Sequence, residues 1–154
     1  MVEEPDGLAA FAALLQVQAA VVRRLEERLE AHRLVPIAQY DVLLELNAAP
    51  GRRLRMQQLS DRVVLSRSRV SRVVDEMERS GLVRREPDPE DRRGSYAVIT
   101  DDGRAALRKA APVYLQGIDE EFLVHLTSGE RKALERSLTK VLDAQRREAG
   151  PTGP

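Results

Sequence analysis

The stretch Ser66-Arg67-Ser68-Arg69-Val70-Ser71-Arg72 holds the most evident chemistry in this chain. With Val70 set aside it offers three Ser and three Arg, and no acid follows until Asp75. Small hydroxyl side chains allow close approach to phosphates, and an Arg fork reaches phosphate oxygens or the O6 and N7 edge of guanine. Ser66 suits an N-cap, while Val70, Val73, Val74 and Met77 give the buried stripe of a helix reaching Ser80. The run therefore stands at a helix N-terminus, where backbone N–H groups attract anions. A second basic point lies at Arg92 and Arg93, beside Asp91, within the polar segment Pro87–Gly94. Narrow A·T-rich minor grooves attract such arginines.

These residues need a frame. Leu82–Glu86 and Ser95–Ile99 read as two strands, so Pro87–Gly94 becomes the tip of a long hairpin. Gly81 fits the end of the helix before it. Upstream, a short helix from Met56 to about Val63 turns Leu59 and Val63 inward, and Leu54 sits in an extended link before it. Another helix follows Pro36 and carries Ile37, Tyr40, Leu43, Leu44 and Leu46, ending at Ala49-Pro50-Gly51. Two short helices and a hairpin in this order predict a winged helix-turn-helix over 35–100, whose second helix enters a DNA major groove. The alternative is an exposed polar helix face with a solvated hairpin. The order of helix, basic first turn and Arg-tipped hairpin favours DNA.

The ends of the chain are helical too. From Leu8 to His32 the residues Phe11, Leu14, Leu15, Gln18, Val22, Leu25 and Leu29 recur at spacings of three and four. Thr100 caps a helix with Leu107, Ala110, Tyr114, Gly117, Ile118 and Phe122 on one side, which Pro112 is expected to kink. Thr127-Ser128-Gly129-Glu130 forms a capping box before a last helix with Leu134, Leu138, Val141 and Leu142 inward. These stripes exceed what one small winged domain covers, so 1–34 and 101–149 are expected to form a dimerisation region. Residues 150–154 are expected to be a disordered tail. The predicted class is mainly α with a small two- or three-stranded β wing.

Composition removes several other functions. The chain has 154 residues and no cysteine, which excludes disulfide scaffolds, thiol nucleophiles and thiol redox sensors. Net charge is zero, yet residues 51–94 hold twelve Arg against eight acids, while residues 1–50 hold four Arg against eight acids. Five dispersed aromatics are too few for a base-stacking platform that reads single strands. No uninterrupted apolar run approaches a membrane span, and the acidic start lacks a secretory signature. A cytoplasmic, nucleoid-associated protein is expected, with no membrane partner. His32 and His125 form no helical metal-ligand pair or triad, so neither an enzyme nor a metal or cofactor site is expected.

The chain resembles the MarR family, the multiple-antibiotic-resistance type of bacterial transcriptional regulator. The likeness runs through Gln39-Tyr40-Asp41-Val42-Leu43, Leu59-Ser60-Asp61-Arg62 and the stretch from Leu65 to Asp75. It continues through Gly81-Leu82-Val83-Arg84-Arg85, the wing Asp88-Pro89-Glu90-Asp91-Arg92-Arg93 with Val98-Ile99-Thr100, and Thr127–Arg131. The resemblance implies a homodimer on a pseudo-palindromic operator, acting as a repressor. It further implies that Asp91 and Arg93 pair to shape the wing and that Arg93 reaches DNA. Ile99 replaces the commoner Leu, and Arg55 stands where a helix cap is often Ser or Thr. Arg55 is thus either a poor cap or a phosphate contact.

Many relatives also bind a small phenolic or other organic anion between the dimer helices and the DNA-binding lobe. Arg23, Arg24, His32, Tyr40 and Tyr114 are the candidates here. The plainer reading makes Arg23 and Arg24 a solvated face and Tyr40 a core ring. A winged-helix protein-interaction module without DNA binding is the alternative function. It predicts no salt-dependent affinity for DNA.

Overall fold

The computed structural model describes residues 7–148. Among these residues six α-helices and three strands follow one another: α1 (Leu8–Ala31), α2 (Ile37–Ala48), β1 (Arg53–Arg55), α3 (Met56–Arg62) and α4 (Arg67–Arg79) come first. Then come β2 (Val83–Pro87), β3 (Ser95–Ile99), α5 (Asp101–Glu121) and α6 (Ser128–Glu148). The sheet is antiparallel in the order β1-β3-β2. The extended link around Leu54 is therefore a third strand, with Leu54 opposite Ala97 and Arg55 opposite Tyr96. Alternation explains it: Leu54 is buried, whereas Arg53 is exposed and Arg55 half-buried.

One apolar core joins the parts. Leu43 and Leu46 of α2, Leu59 of α3, Val70, Val74 and Met77 of α4 and Val83 of β2 are fully enclosed. Leu107 and Ala110 of α5 and Leu29 of α1 close it from the other side. Gly81, at φ 77°, turns the chain out of α4 in the left-handed conformation that glycine adopts without strain. Thr100 then couples sheet to helix. Its Oγ1 accepts the Gly103 N–H at 3.0 Å and lies 2.6 Å from the carbonyl oxygen of Gly81. The box at Thr127 forms as the sequence suggests: Thr127 N–H donates to Glu130 at 2.8 Å and Glu130 N–H returns to the Thr127 hydroxyl at 3.3 Å. That backbone bond holds the Glu130 carboxyl below its ordinary pKa.

α1 and α6 are only partly accounted for by their own chain. Leu25 and Leu29 are buried, but Leu8, Phe11, Leu14, Leu15 and Val17 stay exposed. α6 has no buried residue within 128–147. α1 is also long and apolar enough to cross a membrane by length and composition, once Arg23 and Arg24 are tolerated. The run is interrupted by Gln16, Gln18, Arg23 and Arg24, so an uninterrupted apolar span is still absent from it. A helix sandwiched between two subunits needs the same apolar surface. α5 runs unbroken through Pro112. The tail at 150–154 lies outside the described residues.

Candidate nucleic-acid interface

α4 begins at Arg67, with Ser66 extended before it at the N-cap. The Ser66 hydroxyl makes no cap bond and lies 3.4 Å from the Ser68 hydroxyl, which leaves both at the surface. Arg67, Ser68, Arg69 and Arg72 are exposed and Ser71 half-buried, while Val70, Val73, Val74 and Met77 point inward. The helical period splits the polar residues into two groups. Arg67 and Ser71, four residues apart, face the wing and line a groove of about 520 Å³ with Arg55, Gln57, Arg85 and Arg93. Arg69 and Arg72 turn to the other side, into a cleft of about 310 Å³ with Pro36, Gln39 and Glu76. The exposed end of α4 therefore stands as a ridge between two arginine-bearing depressions.

The wing is organised by a group that sequence reasoning undervalued. Asp88 is almost wholly buried at its base. Its N–H donates to Gly94 at 3.1 Å, and its Oδ1 accepts from Glu90 N–H at 3.0 Å. Its Oδ2 has no directed hydrogen bond, yet it lies 2.8 Å from Arg55 Nε. The Nε–H is aimed instead at the Tyr96 hydroxyl, 3.1 Å away, and the Arg55 Nη2 donates to Glu90 at 2.9 Å. The Tyr96 bond first, and then the Asp88 charge, raise the Arg55 pKa further. Arg55 thus stands at the N-cap of α3 as a poor cap, the first of the two readings given for it. A guanidinium cannot accept a helix N–H; the Arg55 N–H itself is capped by Gln58 at 3.1 Å. Its charge is already engaged by Asp88 and Glu90, which works against a direct phosphate contact.

Asp91 also acts differently from the implied pairing. Its Oδ1 accepts from the Arg93 backbone N–H at 2.9 Å, an Asx-type turn, rather than from the guanidinium. Among the described residues Arg69, Arg72, Arg92 and Arg93 take part in no ion pair, so their charges remain available. Arg67 reaches Asp61 only at 3.7 Å. Arg85, which the charge pattern did not single out, ties β2 to α4 through Asp75 at 2.6 Å.

Of the five residues named for an anion pocket, the single chain brings together Tyr40 and Tyr114. Tyr40 and Tyr114 stack against each other with ring centroids 4.3 Å apart, and Tyr40 is buried in the core. Arg23, Arg24 and His32 lie exposed along α1, with Arg24 3.9 Å from Glu121 and His32 Nδ1 2.8 Å from the Arg28 carbonyl oxygen. The surroundings of the rings are acidic. Burial, then Glu45 and Glu26, push the Asp41 carboxyl up to about 6. Burial and the nearby Asp41 charge also raise the Tyr114 hydroxyl. Tyr40 is thus a core ring.

A model of the MarR family matches residues 35–94, which span both clefts and the wing tip. The chain is 31% identical over 106 residues to the transcriptional regulator HosA of Escherichia coli O111:H-, covering 69% of this chain and 76% of that protein. AbsC, a MarR family transcriptional regulator from Streptomyces coelicolor, matches with a TM-score of 0.84 at 29% identity, over 95% of this chain and 99% of that one. Sco3205, a MarR family transcriptional regulator of the same organism solved in complex with DNA, matches with a TM-score of 0.82 at 28% identity. That match covers 99% of this chain and 92% of the other.

Proposed function

This chain belongs to the MarR family of non-enzymatic, DNA-binding transcriptional regulators, and on that footing we propose that it represses transcription as a homodimer on a pseudo-palindromic site. The observation that carries the reading is the ridge of α4 flanked by two clefts, one holding Arg69 and Arg72 and the other Arg93, none of which has an ion-pair partner among the described residues. A duplex groove is bounded by two phosphate strands, and this shape offers a cation to each while the α4 end meets base edges. Ser66, Arg67, Ser68, Arg69, Ser71 and Arg72 form the reading helix, and Arg92 and Arg93 the minor-groove arm that Asp91 shapes. In this reading 35–100 is the DNA-binding unit, and 1–34 with 101–149 the dimerisation region. A dimer bound across a promoter blocks transcription by occupancy. Release by an organic anion draws no support from a single chain, where Tyr40 and Tyr114 stack on each other beside the Asp41 carboxyl.

Arg69 and Arg72 are expected to separate base reading from phosphate anchoring. Arg69→Ala should cost roughly 1–3 kcal/mol on a selected duplex and less on random sequence, relaxing discrimination. Arg72→Ala should weaken both about equally and flatten the salt dependence by about one. Anisotropy titrations on both duplexes at several salt concentrations measure these effects. Equal losses for Arg69→Ala on both would assign it to phosphate.

A further inference from the structure

We infer that Arg55 is a positioning residue: it latches the wing to the N-terminus of α3 through Asp88 and thereby sets where Arg93 meets DNA. The inference rests on the DNA-binding reading above and adds a residue and a mechanism to it. Two hydrogen bonds and one ion pair of a single side chain carry it. Arg55 belongs to β1 and is the N-cap of α3, so its backbone is fixed by the sheet on one side and the helix on the other. Its guanidinium spans from there to Asp88 at the base of the wing, Glu90 near its tip and Tyr96 on β3. The Asp88 carboxylate, with its side chain 1% exposed, has Arg55 as its ion-pair partner among the described residues.

A buried carboxylate without that cation is costly, so Arg55 and Asp88 hold each other in place. The backbone geometry passes this constraint on. Asp88 and Gly94 are bonded across the hairpin, and Gly94 N–H returns to the Asp91 carbonyl oxygen at 3.0 Å. A Cβ added at Gly94 would lie 3.3 Å from Asp88 Cβ, so the turn is closed tightly over this carboxylate. Arg93 stands within that closed turn. Moving Asp88 therefore moves the residue that reaches for the minor groove. Loss of orientation, rather than loss of a charge facing DNA, is the expected effect of removing Arg55.

The distinction is measurable with a double-mutant cycle. The probe is a duplex enriched from a random pool by the wild-type protein, about three helical turns long to hold two half-sites. Arg55→Ala and Arg93→Ala should each lower affinity about tenfold, and the double variant should lose little beyond either single, because both remove one positioned contact. Asp88→Asn should weaken binding in the same direction, and Arg55→Lys should restore only part of the loss. Amide exchange across 88–96 should quicken in Arg55→Ala while α2 and α5 keep their protection. Additive losses, with a salt slope reduced by about one in Arg55→Ala, would overturn the latch and make Arg55 a phosphate contact. Tighter binding by Asp88→Asn would likewise overturn it, since the carboxylate would then merely repel DNA. A wild-type chain that enriches no duplex would defeat the DNA-binding reading itself.

Discussion

Replacing Phe11 and Leu15 with Glu is expected to turn the proposed dimer into a monomer. Both side chains lie on the unpartnered face of α1, 57% and 53% exposed in a single chain. Each is thus about half covered before any partner arrives, and burying the remainder in two subunits is worth roughly 3–6 kcal/mol in total. Losing that amount raises the dimer dissociation constant by two to four orders of magnitude. Carboxylates facing the partner would add to the penalty. Because α6 has no buried residue within 128–147, separated chains should unfold at lower temperature and with poorer cooperativity. DNA affinity should fall at least a hundredfold, since one recognition helix then acts without the other. Sedimentation equilibrium of both proteins gives the answer. A wild-type monomer, or a variant that stays dimeric, would refute this assignment. Partition of the wild type into lipid vesicles would instead give α1 to a membrane.

Gly103→Ala is expected to be the most damaging single methyl in the molecule. A Cβ at this position would lie 2.1 Å from the carbonyl oxygen of Leu82, 2.9 Å from Ile99 and 3.1 Å from Leu43. The first of these is backbone, and it is held there by Thr100, whose N–H donates to the same oxygen at 3.1 Å. Relief would require α5 to move away from the sheet, breaking the Thr100 cap that joins them. A cost of at least about 3 kcal/mol follows, since overpacking against fixed atoms lies at the high end of single substitutions. For a chain of this size the melting temperature should drop by roughly 10 °C. Gly117→Ala should be milder despite a 2.5 Å approach, because the atom it meets is the Leu25 side-chain Cδ2, which can rotate. A Tm for Gly103→Ala within a degree of wild type would show that the crossing is looser than described.

The two substitutions mark what was legible in the sequence and what was not. Helix period identified the buried face of α4 residue by residue: Val70, Val73, Val74 and Met77 are all enclosed. The same period found the α1 stripe, but it could not say that Leu25 and Leu29 meet their own chain while Phe11 and Leu15 stay exposed. Periodicity reports a face and is silent on what covers it. Gly103 carried no signal because its constraint comes from Leu82, across the β2–β3 hairpin. Arg55 and Asp88 were readable only as separate residues, and their pairing needed the register that sets Arg55 opposite Tyr96. Tyr40 and Tyr114 stood as candidate ligand contacts on the family resemblance. Their mutual stacking exists only once α2 and α5 are packed.

Hydroxyl-radical footprinting of the full chain on its enriched duplex, repeated across a salt series, measures the proposed activity itself. Two protected segments related by two-fold symmetry are expected, their centres about one helical turn apart, with weaker protection outside them where the wings reach. Affinity should fall steeply and linearly with the logarithm of salt, as counterions are released from the contacted phosphates. Arg93→Ala should erase the outer protection and leave the two inner segments in place. A single protected segment would contradict the dimeric arrangement. Binding that is insensitive to salt, or no protection at any protein concentration, would contradict the assignment of α4 and the wing to DNA and favour a protein-interaction module.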